Sequence, residues 1–392
     1  MLSRRVPHAP APNAWARLLD QRRHAGASLI DLTESNPTRV GLSGAGGAEL
    51  AALADPRGAR YEPDPRGSSA AREAVAALYA ERGIEVTPDR VVLVASTSEA
   101  YAHLFRLLAD PGEDVLAPRP SYPLFEPLAA AEGVEIRPYR LAHDGRWHLD
   151  AHGLERAFGP RTRAAIVVQP NHPTGSCLDP AEVALLESLC ERHAAGLISD
   201  EVFGDHAWPA AGGVVPEPRA LPSLIGPRRV PTFALGGLSK TCGMPQLKLG
   251  WIVLAGPREA CEHALAGLEW IADLFLSVST PVELALPRLL AARHGFQARV
   301  RERLRANLAA LDDCARRRPE LSRLHAVGGW SATLRLPARR DEEEWALELL
   351  RRDVIVHPGH FYDFESGPHL VLSLIVEPEV FARGLERLEA LL

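Results

Sequence analysis

Lysine is almost missing from this 392-residue chain. Of its 44 lysine and arginine residues only Lys240 and Lys248 are lysine, both in GGLSKTCGMPQLKLGW (236–251), which leaves 42 arginines. Cysteine is sparse. Cys177, Cys190, Cys242, Cys261 and Cys314 form no CxxC pair and none of the spacings of a zinc site, so the chain reads as one with free thiols from a reducing compartment. The 15 histidines include no HExxH or similar cluster, and no metal site is expected. No apolar run approaches the roughly 18 residues of a membrane span. The N-terminal MLSRRVPHAPAPNAW lacks the apolar stretch of a secretory signal. The net charge of −6, with no basic stretch alternating with aromatics, argues against nucleic acid. Together these absences predict a cytoplasmic protein with neither nucleic-acid nor membrane partners.

Arginine stays protonated, whereas an amine can be tuned to lose its proton and attack a carbonyl. Two lysines kept in a chain that otherwise uses arginine therefore mark their segment as a candidate site. Apolar residues at 46% and charged residues at 24% describe an ordinary globular chain with ample core material.

Short apolar runs alternate with helical patterns through the first two thirds. RVVLVAS (90–96), EDVLAP (113–118), EIRPYR (135–140), RAAIVVQP (163–170), GLISDEVF (196–203), TFALGGLSK (232–240) and LGWIVLAG (249–256) read as strands. The segments between them, such as PAEVALLESLCERHA (180–194), have helical periodicity. Such alternation predicts an α/β fold: a mostly parallel seven-stranded sheet flanked by helices. The Pro/Gly-rich stretch 209–228 reads as a surface loop. From about residue 281 a long Arg-rich helix leads into GGWSATLRLP, DVIVHPG, HLVLSLI and a last helix, a smaller α+β unit. The expected division is a large domain over 45–285 and a small domain formed by 1–44 with 286–392.

In a doubly wound sheet, ligands sit at the carboxyl ends of the strands. Polar groups fall there repeatedly. Ser96, Thr97 and Ser98 open a helix after the first strand and offer hydroxyls and backbone N–H groups, which suit either capping or an anion. Asn171 follows the fourth strand in QPNHPTG. Asp200 ends the fifth, where a carboxylate needs a partner. Lys240 follows Gly236 and Gly237 at the end of the sixth. Each alone is a weak signal.

Their order, with Tyr122 and Lys248, resembles the class I/II aminotransferases of the fold-type I pyridoxal-phosphate enzymes. The resemblance runs from DLTESNPTRVGL (31–42) to HLVLSLI (369–375), and LSKTCGMPQLKLGW is close to the family signature S-K-x-x-x-x-x-G-x-R-x-G-W. It implies pyridoxal 5'-phosphate as cofactor, with Lys240 forming the imine with its aldehyde. It implies that Asp200 pairs with the pyridine nitrogen, Asn171 bonds the phenolic oxygen and Tyr122 stacks on the ring. Ser96, Thr97, Ser98 and Lys248 would hold the phosphate. Tyr61 would reach the phosphate of a neighbouring subunit, which implies a homodimer with shared sites.

Four positions depart from the pattern. Lys248 stands where relatives have arginine, which keeps the charge without the bidentate fork. Phe203 replaces a tyrosine that donates to the phenolic oxygen. Val371 stands where relatives place the arginine that clamps the substrate carboxylate, and Arg39 is the first substitute candidate. Ser35 replaces a glycine. Ser35, Asn36, Arg39 and His360, the last in the Pro-Gly turn HPGHFYDF, are the candidate substrate-binding residues. The expected activity is transfer of an amino group between an amino acid or amine and a keto acceptor. A lyase, decarboxylase or racemase of the same fold, or a non-catalytic binding protein, remains open at this point.

Overall fold

The computed structural model describes Ser3, Arg5, residues 11–208 and residues 221–392. Of the loop expected at 209–228, residues 209–220 lie outside the described residues. The large sheet is built from β1 (Val91–Val94), β2 (Asp114–Arg119), β3 (Glu135–His143), β4 (Trp147–Leu149), β5 (Thr162–Val168), β6 (Gly196–Asp200), β7 (Thr232–Gly237) and β8 (Gly250–Ala255). Their spatial order is β1-β8-β7-β6-β5-β2-β3-β4. β7, β6, β5, β2 and β3 run parallel in succession, whereas β8 is antiparallel to both neighbours. Valine, isoleucine and alanine dominate the central strands, and every residue of β1, β6, β7 and β8 is buried. That is the pattern of a sheet covered on both faces.

The sheet has one strand more than expected. β4 is a three-residue return that pairs antiparallel with the end of β3 through Leu141–Leu149. Only two of its residues are buried, too few for a hydrophobic period to register in the sequence.

Buried apolar side chains gather in four clusters. Three cover the large sheet and its helices. The fourth joins Trp15–Leu42 with residues from Phe296 to Leu391. It encloses a small antiparallel sheet whose main strands are β9 (Ser331–Arg335), β10 (His357–Pro358) and β11 (His369–Ser373). The 38-residue helix Thr280–Arg317 feeds both groups. Val282 to Leu290 pack on the large-sheet side and Phe296 to Cys314 on the other. No helix among the described residues is long and apolar enough to cross a membrane.

The segment carrying Lys240 differs from its expected form. β7 ends at Gly237, and Lys240 lies in a one-turn helix, Leu238–Thr241. This turn is clamped from two sides. Gln297 Nε2 on the long helix donates to Thr241 O at 3.1 Å. Gly44 lies so close that a Cβ there would fall 1.6 Å from the Cys242 carbonyl oxygen. Gly243 has φ +67°, and a Cβ on it would meet the Phe296 ring at 2.3 Å. Gly243→Ala combines a left-handed backbone with a ring clash. It should cost about 2–4 kcal/mol of stability, read as a lower midpoint in urea unfolding.

Candidate active site

The carboxyl ends of β6 and β7 bring Asp200 and Lys240 together. Asp200 closes β6 and pairs in register with Leu235 of β7. It is 7% exposed, and burial raises its pKa to about 6 against hydrogen bonds from Val202 and Tyr101 and the charge of Lys240. Lys240 keeps part of its surface yet lies deep in the protein. Burial lowers its pKa to about 8, opposed by the Asp200 carboxylate. The amine sits in the corner of two edge-to-face rings, with Nζ 5.5 Å from the Phe203 ring centre and 4.9 Å from that of Trp330, which themselves lie 5.4 Å apart. His206 Nε2 lies 2.9 Å from the Lys240 carbonyl and donates to it. Burial pushes the His206 pKa to about 4, so this imidazole acts as a neutral donor.

The anion-binding expectation falls on a helix N-terminus, Thr97–Leu108, here α1. Ser96 is its N-cap, its Oγ accepting from Glu99 N at 3.2 Å. Capping uses one acceptor lone pair of the Ser96 oxygen and leaves its O–H to donate, beside Thr97 and Ser98, which bring hydroxyls and first-turn N–H groups that have no intrahelical acceptor. β8 starts flush against this turn: a Cβ on Gly250 would come within 3.4 Å of Ser96 C and 3.5 Å of Thr97 N. Lys248, exposed and with φ +52°, stands two residues before Gly250. It makes no ion pair among the described residues, which leaves its charge free for an anion beside α1.

Asn171 is held by the loops on either side of it. Its Nδ2 donates to Pro120 O at 3.0 Å and Thr174 Oγ1 at 2.8 Å, and its Oδ1 accepts from Ser121 Oγ at 2.9 Å. The amide is committed to the loops around it. The next residue, His172, faces the centre instead. Its ring packs at 6.1 Å from Phe203, 6.2 Å from Tyr122 and 5.2 Å from Tyr362. Burial, with the charges of Lys240 and His357, depresses its pKa to about 3. Tyr122 is 38% exposed and lies near enough to Asp200 for that carboxylate to help raise its pKa, after burial.

The four substrate-side candidates fall outside this cluster. Arg39 has a 74% exposed side chain beside Glu34, at 3.4 Å. Asn36 closes a local turn, its Oδ1 accepting from Thr38 N and Oγ1. Ser35 is exposed. His360 turns toward Glu342, 3.4 Å away. The residues nearer the centre are Tyr362, whose hydroxyl lies 2.8 Å from His357 Nδ1, and His357 itself. His357 is the cross-strand partner of buried Val371, as is Thr333.

Tyr61 is 80% exposed and lines a separate cavity of about 310 Å3 with Arg57, Arg60, Ser277 and Glu283. Sequence reading missed His172, His206, Trp330 and Tyr101. The histidines carried a usable signal, since each lies within six residues of a strand end that was already marked.

A lysine whose pKa is lowered gains its reactive neutral form as pH rises through about 8 rather than 10.5. Trapping of a small aldehyde with cyanoborohydride on the cofactor-free protein should therefore label Lys240 with a midpoint near pH 8. Peptide mass mapping separates it from Lys248 and the N-terminal amine. A Lys240 midpoint near 10 contradicts the buried, desolvated amine.

Residues 29–370 match the family model of aminotransferase class I and II. An arginine–pyruvate transaminase of Pseudomonas aeruginosa is 28% identical over 342 residues, covering 84% of this chain and 82% of that protein. An S-alkyl-thiohydroximate lyase of Arabidopsis thaliana is 27% identical over 352 residues, covering 85% and 72%. Among solved structures, a single mutant of Thermus thermophilus aspartate aminotransferase superposes with TM-score 0.80 at 26% identity, covering 100% of both chains. A buried lysine opposite a strand-end carboxylate, beside an anion-ready helix turn, is thus set in a fold and sequence that agree over most of the chain, which belongs to the class I and II aminotransferases.

Proposed function

We propose that this aminotransferase uses pyridoxal 5'-phosphate, held by Lys240, Asp200, His172, Tyr122, Thr97, Ser98 and Lys248. The observation that carries the reading is the buried Lys240 amine within Coulombic reach of Asp200, just past the ends of adjacent parallel strands. The residues present fit the group. A carboxylate that burial disfavours gains from a pyridinium partner. The first turn of α1, closed by Gly250 and flanked by Lys248, fits a phosphate. When bound, the cofactor supplies an aldehyde that takes up amines and a ring that draws electrons from the substrate α-carbon.

The protein's own part is binding, orientation and proton movement. Asp200 keeps the ring nitrogen protonated. Lys240 holds the cofactor at rest and, once freed, its amine moves a proton at the substrate α-carbon. A group with a pKa near 8 can both accept and return that proton near neutrality. His172, neutral in this setting, supplies the polar contact at the phenolic oxygen that Asn171 does not. Phe203 and Trp330 keep water from the amine. Tyr61, with Trp270 (68% exposed), Leu274 (61%) and Phe275 (52%), supports a homodimer, since apolar groups this exposed favour a protein interface.

A second reading keeps weight because Val371 offers no cation to a substrate carboxylate and one relative bears a lyase name. Adding donor amines to the holoenzyme separates the two. Transamination should bleach the visible band and yield a keto product without free ammonia, whereas elimination should release ammonia and restore the band. Lys240→Ala should lower turnover by at least about a thousandfold. Phe203→Tyr adds a donor near the amine. It should lower the pH midpoint of the visible band by about one unit. An unchanged titration rules out contact between position 203 and the phenolic oxygen.

A further inference from the structure

One buried hydrogen bond in the centre has no part in the roles above. Tyr101 Oη donates to Asp200 Oδ2 at 3.0 Å, with Tyr101 only 2% exposed. It is the one side-chain donor to Asp200 among the described residues. The backbone N–H of Val202 serves Oδ1 at 3.2 Å. The titratable and charged groups around the carboxylate are Tyr101 from α1, Tyr122 from the segment after β2, and Lys240 from the turn after β7. Burial beside Asp200 holds the Tyr101 phenol well above its usual pKa, so it stays protonated and donates.

Position explains why this bond matters. Thr97 and Tyr101 are four residues apart on α1 and share a face. The helix whose first turn presents the anion-binding groups therefore also grips the carboxylate one turn later. The Tyr101 ring packs edge-on against Phe125 at 5.2 Å, and Phe125 packs edge-on against Tyr122 at 6.0 Å. A continuous run of contacts thus joins the first turn of α1, the buried carboxylate and the half-exposed Tyr122.

We propose that Tyr101 is a positioning residue: its hydroxyl keeps Asp200 ionised and fixes the carboxylate plane toward the cofactor's ring nitrogen. The proposal rests on the reading of Asp200 given above. Without the hydroxyl, burial favours the protonated acid, which cannot hold a proton on the pyridine nitrogen.

Tyr101→Phe removes only the hydroxyl and keeps the ring packing. Apoenzyme is titrated with pyridoxal 5'-phosphate between pH 6 and 9, and in parallel with a carbocyclic analogue in which C–H replaces the ring nitrogen. Tyr101→Phe should weaken pyridoxal phosphate about tenfold at pH 7. The loss should shrink toward pH 9 as Asp200 ionises, and the analogue should bind as tightly to the variant as to the parent. In the holoenzyme kcat should fall with KM little changed. Equal weakening of both ligands at every pH shows a merely structural tyrosine and overturns the proposal. So does a Tyr101→Phe variant indistinguishable from the parent while Asp200→Asn loses affinity. If Asp200→Asn itself binds the cofactor normally, the reading of Asp200 fails and the proposal falls with it.

Discussion

Everything in the centre depends on one electrostatic compromise, a carboxylate and an amine buried together at the ends of β6 and β7. Burial disfavours both charges, raising Asp200 to about 6 and lowering Lys240 to about 8. Their mutual attraction works against that trend without cancelling it. A pair like this contributes little to stability, because desolvation offsets the Coulomb gain. Its value is chemical: an amine that can be neutral near physiological pH, and a carboxylate in want of a cation. Gln297, Gly44 and His206 pin the turn that holds the amine, and Tyr101 and Val202 pin the carboxylate.

The use of lysine follows the same logic. Arginine serves this chain at nearly every place where a permanent cation is enough, as in Arg22–Asp353 or Arg82–Asp205. It cannot serve at position 240, where the group must shed its proton. Lys248 is a different case. It is exposed and makes no ion pair among the described residues, and a charge beside α1 is all that its place demands. The aromatic walls around Lys240 come from segments 127 residues apart (330 − 203). Phe203 follows β6, and Trp330 precedes β9 of the small sheet. Both belong to the core cluster that holds the small sheet, so the amine lies where the two bodies of the protein meet.

Much of this was legible in the residues. Strand-end positions marked Asp200 and Lys240, and the α/β alternation marked the sheet, because burial on both faces imposes continuous apolar runs. The eighth strand was not legible, since three residues carry no period. Asn171 and His172 show the limit most clearly. Adjacent residues after a strand point different ways, and only the surrounding loops decide which faces inward. Pro120, Ser121 and Thr174 captured the amide, while the imidazole next to it bonds through Nδ1 to Ser331 Oγ at 3.3 Å and keeps Nε2 unpartnered among the described residues. Likewise, Arg39 and His360 lie beside acidic neighbours, Glu34 and Glu342, at 3.4 Å each.

Local periodicity and side-chain chemistry were enough to set seven strands of the sheet, the order of strand-end groups and the presence of a tunable amine. Tertiary structure alone decided the aromatic enclosure of Lys240, the bond from Tyr101 to Asp200 and the choice of His172 over Asn171. Apart from the short loop bond of Asn171 to Thr174, those depend on contacts between segments up to 190 residues apart (362 − 172), where packing, and no local pattern, selects the partners of each polar group.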